Sequence, residues 1–301
     1  GLLYFNAQEG TILPQSDKNF PFEVPDMQVN KMFTDSKGNL WLGSEDDGVK
    51  TIYRYKDMFN SMPALQRAIG KQPVLSVATD RNHHLWISTK KNGLYMYDLQ
   101  NQQLKDIPMI FYSNGNKKNA TTNIFVDSSN HLWLANGDHV AKCQYDGNHL
   151  NKVASYPCFM PMDISQDAKG NIWVSTASVN IYCISAQSGE MTKKQLFPIT
   201  LCFIPCIMHL QNGNMLISAF YKPILEMNGD NFDIQEFKVN PDDWKKCIKR
   251  SVYIPTKNYQ DRKGNIWLGT VTNGLLKYDA KSHKLSSIAG ISCSDISSIE
   301  E

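Results

Sequence analysis

The chain has 301 residues, of which 42% are apolar and 20% are charged, so it can form a sizeable core and shows no general tendency to disorder. Its 31 basic and 29 acidic residues give a net charge of +2 without a long block of like charge, which excludes the usual electrostatic features of nucleic-acid-binding and membrane-surface proteins. No apolar run reaches the roughly 18 residues of a membrane span. We therefore expect no nucleic-acid partner and no membrane insertion by this segment.

A short motif recurs along the chain and decides the predicted fold. In five copies an Asp stands six residues before a Trp, at residues 35–41, 80–86, 127–133, 167–173 and 261–267. A sixth, degenerate copy at 210–216 keeps Gly213 and Asn214 but has Leu210 and Leu216 in place of Asp and Trp. Successive copies lie 40 to 51 residues apart, a period that is typical of propeller blades.

Each copy predicts four antiparallel strands. A β-rich run precedes the Asp, as at 74–78, and Asp-x-x-Gly-Asn then supplies hairpin turn chemistry because Gly and Asn adopt positive φ readily. The Trp-bearing run, as at 172–175, is almost wholly apolar, which is typical of a strand buried on both faces. An alternating strand, as at 274–279, and a weak outer strand, as at 103–107, complete the repeat. Four such strands per repeat predict an all-β propeller.

The two chain ends predict the number of blades. Residues 1–6 match 274–279 position for position and should form a third strand, with 11–14 as the fourth. Residues 296–301 match 75–80 and should form a first strand. We therefore expect one seven-bladed propeller domain over 1–301, with a blade that is split between the N- and C-termini and lacks its second strand. Six blades with loose ends are the alternative.

An insertion between Tyr53 and Pro73 interrupts the repeat. Its apolar residues recur at roughly helical spacing and predict a short amphipathic helix that packs on the rim of the propeller, with binding of a partner as the alternative. These residues are Met58, Phe59, Met62, Leu65 and Ile69.

The pattern Asp-x-x-Gly-Asn-[Leu/Ile]-Trp, followed by Gly-Leu-x-x-Tyr-Asp, resembles the two-component regulator propeller repeat, and residues 264–279 are nearly a consensus copy. The resemblance covers essentially the whole chain. It implies the periplasmic sensor region of an inner-membrane hybrid two-component histidine kinase of Bacteroidetes, in which two propellers and a small β-sandwich adjoin in one chain. It also implies a homodimeric parent protein and a glycan or oligosaccharide ligand. No kinase or receiver residues are present, so the implied role is sensing.

Departures from the repeat predict the binding surface, because the recurring Asp and Trp are expected to be scaffold residues. By strand parity, the turn between the second and third strands lies on the same face as the link to the next blade. On this face the degenerate copy carries aromatic residues beside basic ones, a combination that suits sugar recognition. We predict a ligand or domain-contact patch formed by Phe220, Tyr221, Lys222, Trp244, Arg250 and Tyr253. The alternative for Trp244 is that it only fills the interior of its own loop.

No pattern predicts catalysis, a metal site or a cofactor. The seven cysteines are odd in number and lack CxxC spacing, so we expect buried free thiols. The histidines His83, His84 and His131 lie in the first turns, where they replace Gly or Asn. Two alternatives to sensing are a propeller polysaccharide lyase or hydrolase, and a structural spacer with recognition elsewhere. The enzyme would need several carboxylates or a His on the first strands, which carry mostly Ser, Val, Ile and Asn.

Overall fold

A computed structural model of the chain describes residues 2–6, 10–20, 27–36, 38–45, 47–52, 59–61, 63–70, 72–90, 93–108, 121–198, 202–248, 253–289 and 295–299. The chain divides into two compact units, Phe22–Ile164 and Ser165–Glu301 together with Gly1–Pro21. The expectation of one domain over 1–301 stays a prediction. Among the described residues, no helix is long and apolar enough to cross a membrane.

The unit Phe22–Ile164 contains three four-stranded antiparallel blades in which consecutive strands pair. Blade 1 comprises β1 (Val29–Thr34), β2 (Leu40–Ser44), β3 (Val49–Ile52) and β4 (Phe59–Ser61). Helix α1 (Pro63–Ile69) leads to blade 2, formed by β5 (Val74–Thr79), β6 (His84–Thr89), β7 (Gly93–Asp98) and β8 (Gln103–Ile107). Blade 3 comprises β9 (Asn123–Val126), β10 (Leu132–Ala135), β11 (His139–Tyr145) and β12 (Leu150–Pro157).

The other unit contains two further complete blades and most of a third. Blade 4 comprises β13 (Pro161–Gln166), which begins before the boundary, β14 (Ile172–Thr176), β15 (Asn180–Ile184) and β16 (Met191–Gln195). Blade 5 comprises β17 (Cys206–His209), β18 (Met215–Ser218), β19 (Leu225–Met227) and β20 (Ile234–Glu236). Helix α2 (Pro241–Cys247) leads to blade 6, formed by β21 (Pro255–Gln260), β22 (Ile266–Thr270), β23 (Leu275–Asp279) and β24 (Lys284–Ser287). The four strands predicted for each repeat are therefore confirmed.

The recurring Asp and Trp form one hydrogen-bonded clamp in each of five blades. The Asp carboxylate accepts a bond from the Trp indole N–H at 2.8 to 3.0 Å, and it also accepts one from the backbone N–H four residues after the Asp. No repeat Trp is more than 4% exposed. The expected burial of the Trp and capping of the turn by the Asp are present, and the direct bond between the two side chains explains their fixed spacing.

The turn that follows each Asp has the same backbone geometry in all six copies. The residue three positions after the Asp, or after Leu210 in the degenerate copy, has a positive φ of 63° to 88°. Gly occupies this position in four copies, whereas His83 and Asn130 occupy it in the other two. In the next position His84 and His131 replace Asn, and their Nδ1 atoms lie 2.8 and 3.2 Å from an Asp carboxylate oxygen, as the Asn amide does elsewhere.

Polar side chains on the first strands connect neighbouring blades within each unit. In the unit Phe22–Ile164, the Ser76 hydroxyl of β5 accepts a bond from the Ile124 backbone N–H of β9 at 3.0 Å. In the other unit, the Cys206 sulfur of β17 accepts one from the Asn258 N–H of β21 at 3.1 Å. The two acceptors occupy the same repeat position, four residues before the Asp or its Leu replacement, so these contacts are part of the scaffold.

The prediction of seven blades is wrong for the described residues, which form six four-stranded blades. The N-terminal strand pair is confirmed: the strands Leu3–Asn6 and Thr11–Pro14 form an antiparallel two-stranded sheet. Near the C-terminus, Ile296 packs against Trp267 and donates its N–H to the Thr270 carbonyl, but residues 295–299 are not a strand. The physical reason is that, among the described residues, no second strand pairs with the N-terminal strands or with residues 295–299 to complete the blade.

The predicted helix after Tyr53 is shorter than expected. Residues Phe59–Ser61 form the fourth strand of blade 1 instead, since β3 requires an outer partner, and α1 covers only Pro63–Ile69. The packing of this helix is as expected, because Leu65 and Ile69 are fully buried against the blade 1 and blade 2 core. Met58 and Met62 lie outside the described residues.

Candidate ligand-binding surface

Three aromatic side chains form an exposed patch beside blade 5, and we call Phe203, Phe220 and Tyr221 the aromatic patch. Phe203 lies in the link before β17, and the other two lie in the turn after β18. The Phe220 ring lies 5.8 Å from that of Phe203 and 6.3 Å from that of Tyr221, measured between centroids. Tyr221 is 64% exposed and Phe203 is 37% exposed, so a ligand could reach both.

The backbone holds the aromatic patch in place. Phe220 donates its N–H to the Phe203 carbonyl at 2.9 Å, which ties the turn to the link. Tyr221 adopts a φ of +59°, which is uncommon for a residue with a side chain, and donates its N–H to the Tyr253 carbonyl at 3.2 Å. Because strained backbone geometry of this kind needs support from its surroundings, these bonds position the Tyr221 side chain in a defined direction.

Lys222 borders the aromatic patch. Its ammonium lies 5.6 Å from the centroid of the buried Phe197 ring, and the side chain is half-buried. Burial raises the pKa of the neighbouring Cys202 thiol, while the positive charge of Lys222 opposes that rise. The charge of Lys222 is thus held beside the link that carries Phe203.

Trp244 and Tyr253 lie beneath the turn rather than in the aromatic patch. Trp244 belongs to α2, which begins at the Asn240 cap, and its half-buried ring lies 5.2 Å from the Tyr253 ring. Tyr253 is only 5% exposed, and this burial raises the pKa of its hydroxyl, with Ser218 opposing the rise. Both pack into the blade 5 and blade 6 core, as expected if Trp244 fills its own loop. Arg250 lies outside the described residues.

A second exposed apolar stretch, in the unit Phe22–Ile164, was not predicted from the sequence. Phe159, Met160 and Met162 are 58%, 45% and 37% exposed. The Cys158 and Met160 N–H groups donate to the Asp138 and Gly137 carbonyls at 2.8 and 3.0 Å, which fixes this loop to the turn after β10. The sequence feature that could have indicated this stretch is the run of apolar residues after β12, which lacks the alternation of apolar and polar residues seen in a strand.

The described first strands contribute one carboxylate and one His, the half-buried His209 at the end of β17. Asp163 of β13 is the one carboxylate that they contribute, and it is 4% exposed and accepts a bond from the Asn123 amide at 3.3 Å. Within the part of the chain that the structure describes, no three His, Cys, Asp or Glu residues are grouped so as to hold a metal ion. The six described cysteines are free thiols, five of them buried, as expected, and Cys293 lies outside the described residues.

Comparison with known proteins confirms the resemblance seen in the repeat. Residues 23–46 match the model of the two component regulator propeller family. Histidine kinase P4 of Formosa agariphila is 28% identical over 86 residues, which are 27% of this chain and 6% of that protein.

Solved structures share the fold of this chain. The extracellular domain of the hybrid two component system BT4673 from B. thetaiotaomicron matches with a TM-score of 0.51 and 15% identity over 86% of this chain and 38% of that chain. The β-propeller domain of Cps50 (Swd1) from Myceliophteria thermophila matches with a TM-score of 0.63 and 12% identity over 87% of each chain. At these identities the likeness shows the fold alone. The chain therefore has a β-propeller fold, and residues 23–46 match the two component regulator propeller repeat.

Proposed function

We propose that this chain is the extracytoplasmic ligand-sensing propeller of a hybrid two-component histidine kinase, and that its ligand is a glycan or oligosaccharide. The repeat match and the similarity to the extracellular domain of BT4673 support the sensor class. The observation that carries the binding role is the aromatic patch, with Tyr221 64% exposed on a turn that two backbone hydrogen bonds hold in place. The propeller itself is proposed to bind and not to catalyse.

The physical case for a sugar rests on the combination of exposed rings and nearby polar groups. Pyranose rings present apolar C–H faces that stack on aromatic side chains, and their hydroxyls need polar partners around the rim of the site. Tyr221 offers both a ring and a phenol hydroxyl, and Lys222 supplies donors beside it. Because the turn is already ordered, binding should lose less conformational entropy than binding to a loop that must first become ordered.

We assign Trp244 and Tyr253 a supporting part in this site. The Tyr253 carbonyl holds the Tyr221 N–H, and the Trp244 ring packs on the Tyr253 ring. Neither ring needs to touch the sugar for its loss to displace Tyr221. Arg250 follows α2 in the sequence and is proposed to add a basic group to the same surface.

The test is glycan binding by the full extracytoplasmic region that contains this propeller, measured by glycan array and then by titration calorimetry. Tyr221→Ala should weaken binding about tenfold or more, as for a central aromatic contact, whereas Tyr221→Phe should retain most of it. Val153→Ala is the matched control, because Val153 is 55% exposed but lies in β12 of the other unit. Unchanged affinity in both Tyr221→Ala and Trp244→Ala would rule out this site and favour the spacer alternative.

The remaining assignments concern the parent protein. We propose that this segment is the periplasmic part of an inner-membrane protein, that it adjoins a second propeller and a β-sandwich in the same chain, and that the parent acts as a homodimer. This chain spans 38% of the BT4673 extracellular domain, which is consistent with a larger sensor region. Crosslinking of the full-length protein in membranes tests the dimer.

A further inference from the structure

We infer that the ligand of the aromatic patch is an acidic sugar, with a carboxylate or sulfate group that binds the ammonium of Lys222. This inference rests on the proposed function and narrows it to one chemical class. It depends on where the positive charge is held and on the absence of carboxylates from the segments that form the site.

Lys222 is fixed beside the aromatic patch without a carboxylate partner among the described residues. Its ammonium lies 5.6 Å from the Phe197 ring centroid, a contact that limits the motion of a flexible side chain. Elsewhere in the same unit, by contrast, Lys169 pairs with the Asp230 carboxylate at 3.1 Å. The half-buried ammonium of Lys222 is therefore free to bind an external anion.

The segments around Lys222 contain no acidic residue that could compete for it. Residues 196–206 and 219–225, which make up the link and the turn, include neither Asp nor Glu. The adjoining helix α2 adds exposed Lys245 and Lys246 in its last turn, and its two aspartates lie at the opposite end, in its first turn. The local charge is thus positive although the whole chain is close to neutral.

Physical chemistry favours an anion at this position over a neutral hydroxyl. A charge beside apolar rings is screened less than one in bulk water, so a carboxylate or sulfate at Lys222 gains more than it would on an open surface. The aromatic rings would contact the apolar face of the sugar while the ammonium contacts its charged group. A neutral sugar would use only the first of these contacts.

The experiment compares charged sugars with neutral counterparts of the same shape, using the full chain and titration calorimetry. The probes are oligogalacturonides and their methyl esters, and κ-carrageenan oligosaccharides and their desulfated forms, which carry no charge. The first pair tests a carboxylate and the second a sulfate. For at least one pair we expect about tenfold tighter binding of the charged probe, and the difference should shrink between 50 and 300 mM salt because screening shortens the range of the attraction.

Lys222→Met assigns the effect to one residue. It should abolish the preference for the charged probe by weakening that probe about tenfold more than the neutral one, whereas Lys193→Met removes an exposed charge from β16 of the same unit and should change the affinity of neither probe. Equal binding of charged and neutral probes, or equal weakening of both by Lys222→Met, would overturn the acidic-sugar inference and leave the proposed function standing. Failure of every probe to bind would contradict the proposed function as well.

Discussion

Replacing Asp261 by Ala tests whether the clamp between Asp and Trp stabilises a blade. Asp261 is 7% exposed, and its two carboxylate oxygens accept four hydrogen bonds at 2.8 to 3.0 Å. The donors are the Lys263 N–H, the Asn265 N–H and amide, and the Trp267 indole N–H. Removal of the carboxylate leaves these donors without their acceptor.

The expected loss follows from which donors can reach water. Lys263 is exposed, so its N–H can bind solvent instead. Trp267 is 4% exposed, and a buried donor left without a partner costs about 1–3 kcal/mol. With the buried Asn265 donors contributing about 1 kcal/mol more, Asp261→Ala should lower the free energy of unfolding by about 3 kcal/mol.

Urea unfolding followed by circular dichroism measures this loss. Asp279→Ala is the matched control, because that carboxylate also caps a turn of blade 6 through the Lys281 and Ser282 N–H groups but lies at the surface, so its loss should be much smaller. Trp267→Phe removes the indole donor, and the double variant should therefore lose less than the sum of the single variants. An effect of Asp261→Ala no larger than that of the control would refute the reasoning.

Three further predictions follow from the structure. Burial alone would raise the pKa of Asp261, but its hydrogen bonds hold this pKa below the ordinary value. The contribution of Asp261 to the free energy of unfolding should therefore be fully present above about pH 4 and be lost as the pH falls. In Asp261→Asn the free energy of unfolding should depend less on pH, and an unchanged dependence would contradict this. Burial raises the pKa of Cys143 and Cys158 to about 12, so iodoacetamide at pH 8 should label them only after unfolding, and rapid native labelling would contradict this. A Cβ at Gly229 would overlap the Gly213 carbonyl, so Gly229→Ala should lower the melting temperature by several degrees, and an unchanged value would contradict the close approach.

The repeat made most of the fold predictable, because each copy combines a turn, an apolar strand and a fixed Asp to Trp spacing. The strand pairs, the positive φ at the turns and the N-terminal pair of strands all follow from local sequence. The number of blades could not be predicted from local sequence. It depends on whether residues near Ile296 and the N-terminal strands can pair without a second strand between them, and that is a question of tertiary contacts.

The candidate site was predictable only as a region. The sequence points to Phe220 and Tyr221 because they depart from the repeat, but it gives no sign that Phe203, 17 residues earlier, joins them. It also cannot tell that Trp244 packs inward on Tyr253, because an aromatic residue in a basic stretch is compatible with either a buried or an exposed position. In irregular segments such as this turn, the direction of a side chain depends on backbone hydrogen bonds that form only in the folded chain, such as the bond from the Tyr221 N–H to the Tyr253 carbonyl.

The first turn of blade 5, the blade beside the aromatic patch, is held differently from the first turns of the other blades. This blade lacks the clamp. Its turn is held instead by the Asn214 side chain, whose amide NH₂ donates to the Glu226 carboxylate at 2.7 Å and whose Oδ1 accepts from the Gly229 N–H at 3.2 Å. The Trp position is filled by Leu216, which is fully buried, so the interior needs no aromatic ring there. The exposed aromatic residues of the same blade therefore have no part in clamping it. We propose that the turn after β18, which does not clamp its blade, instead presents the Tyr221 side chain to a ligand at a φ of +59°.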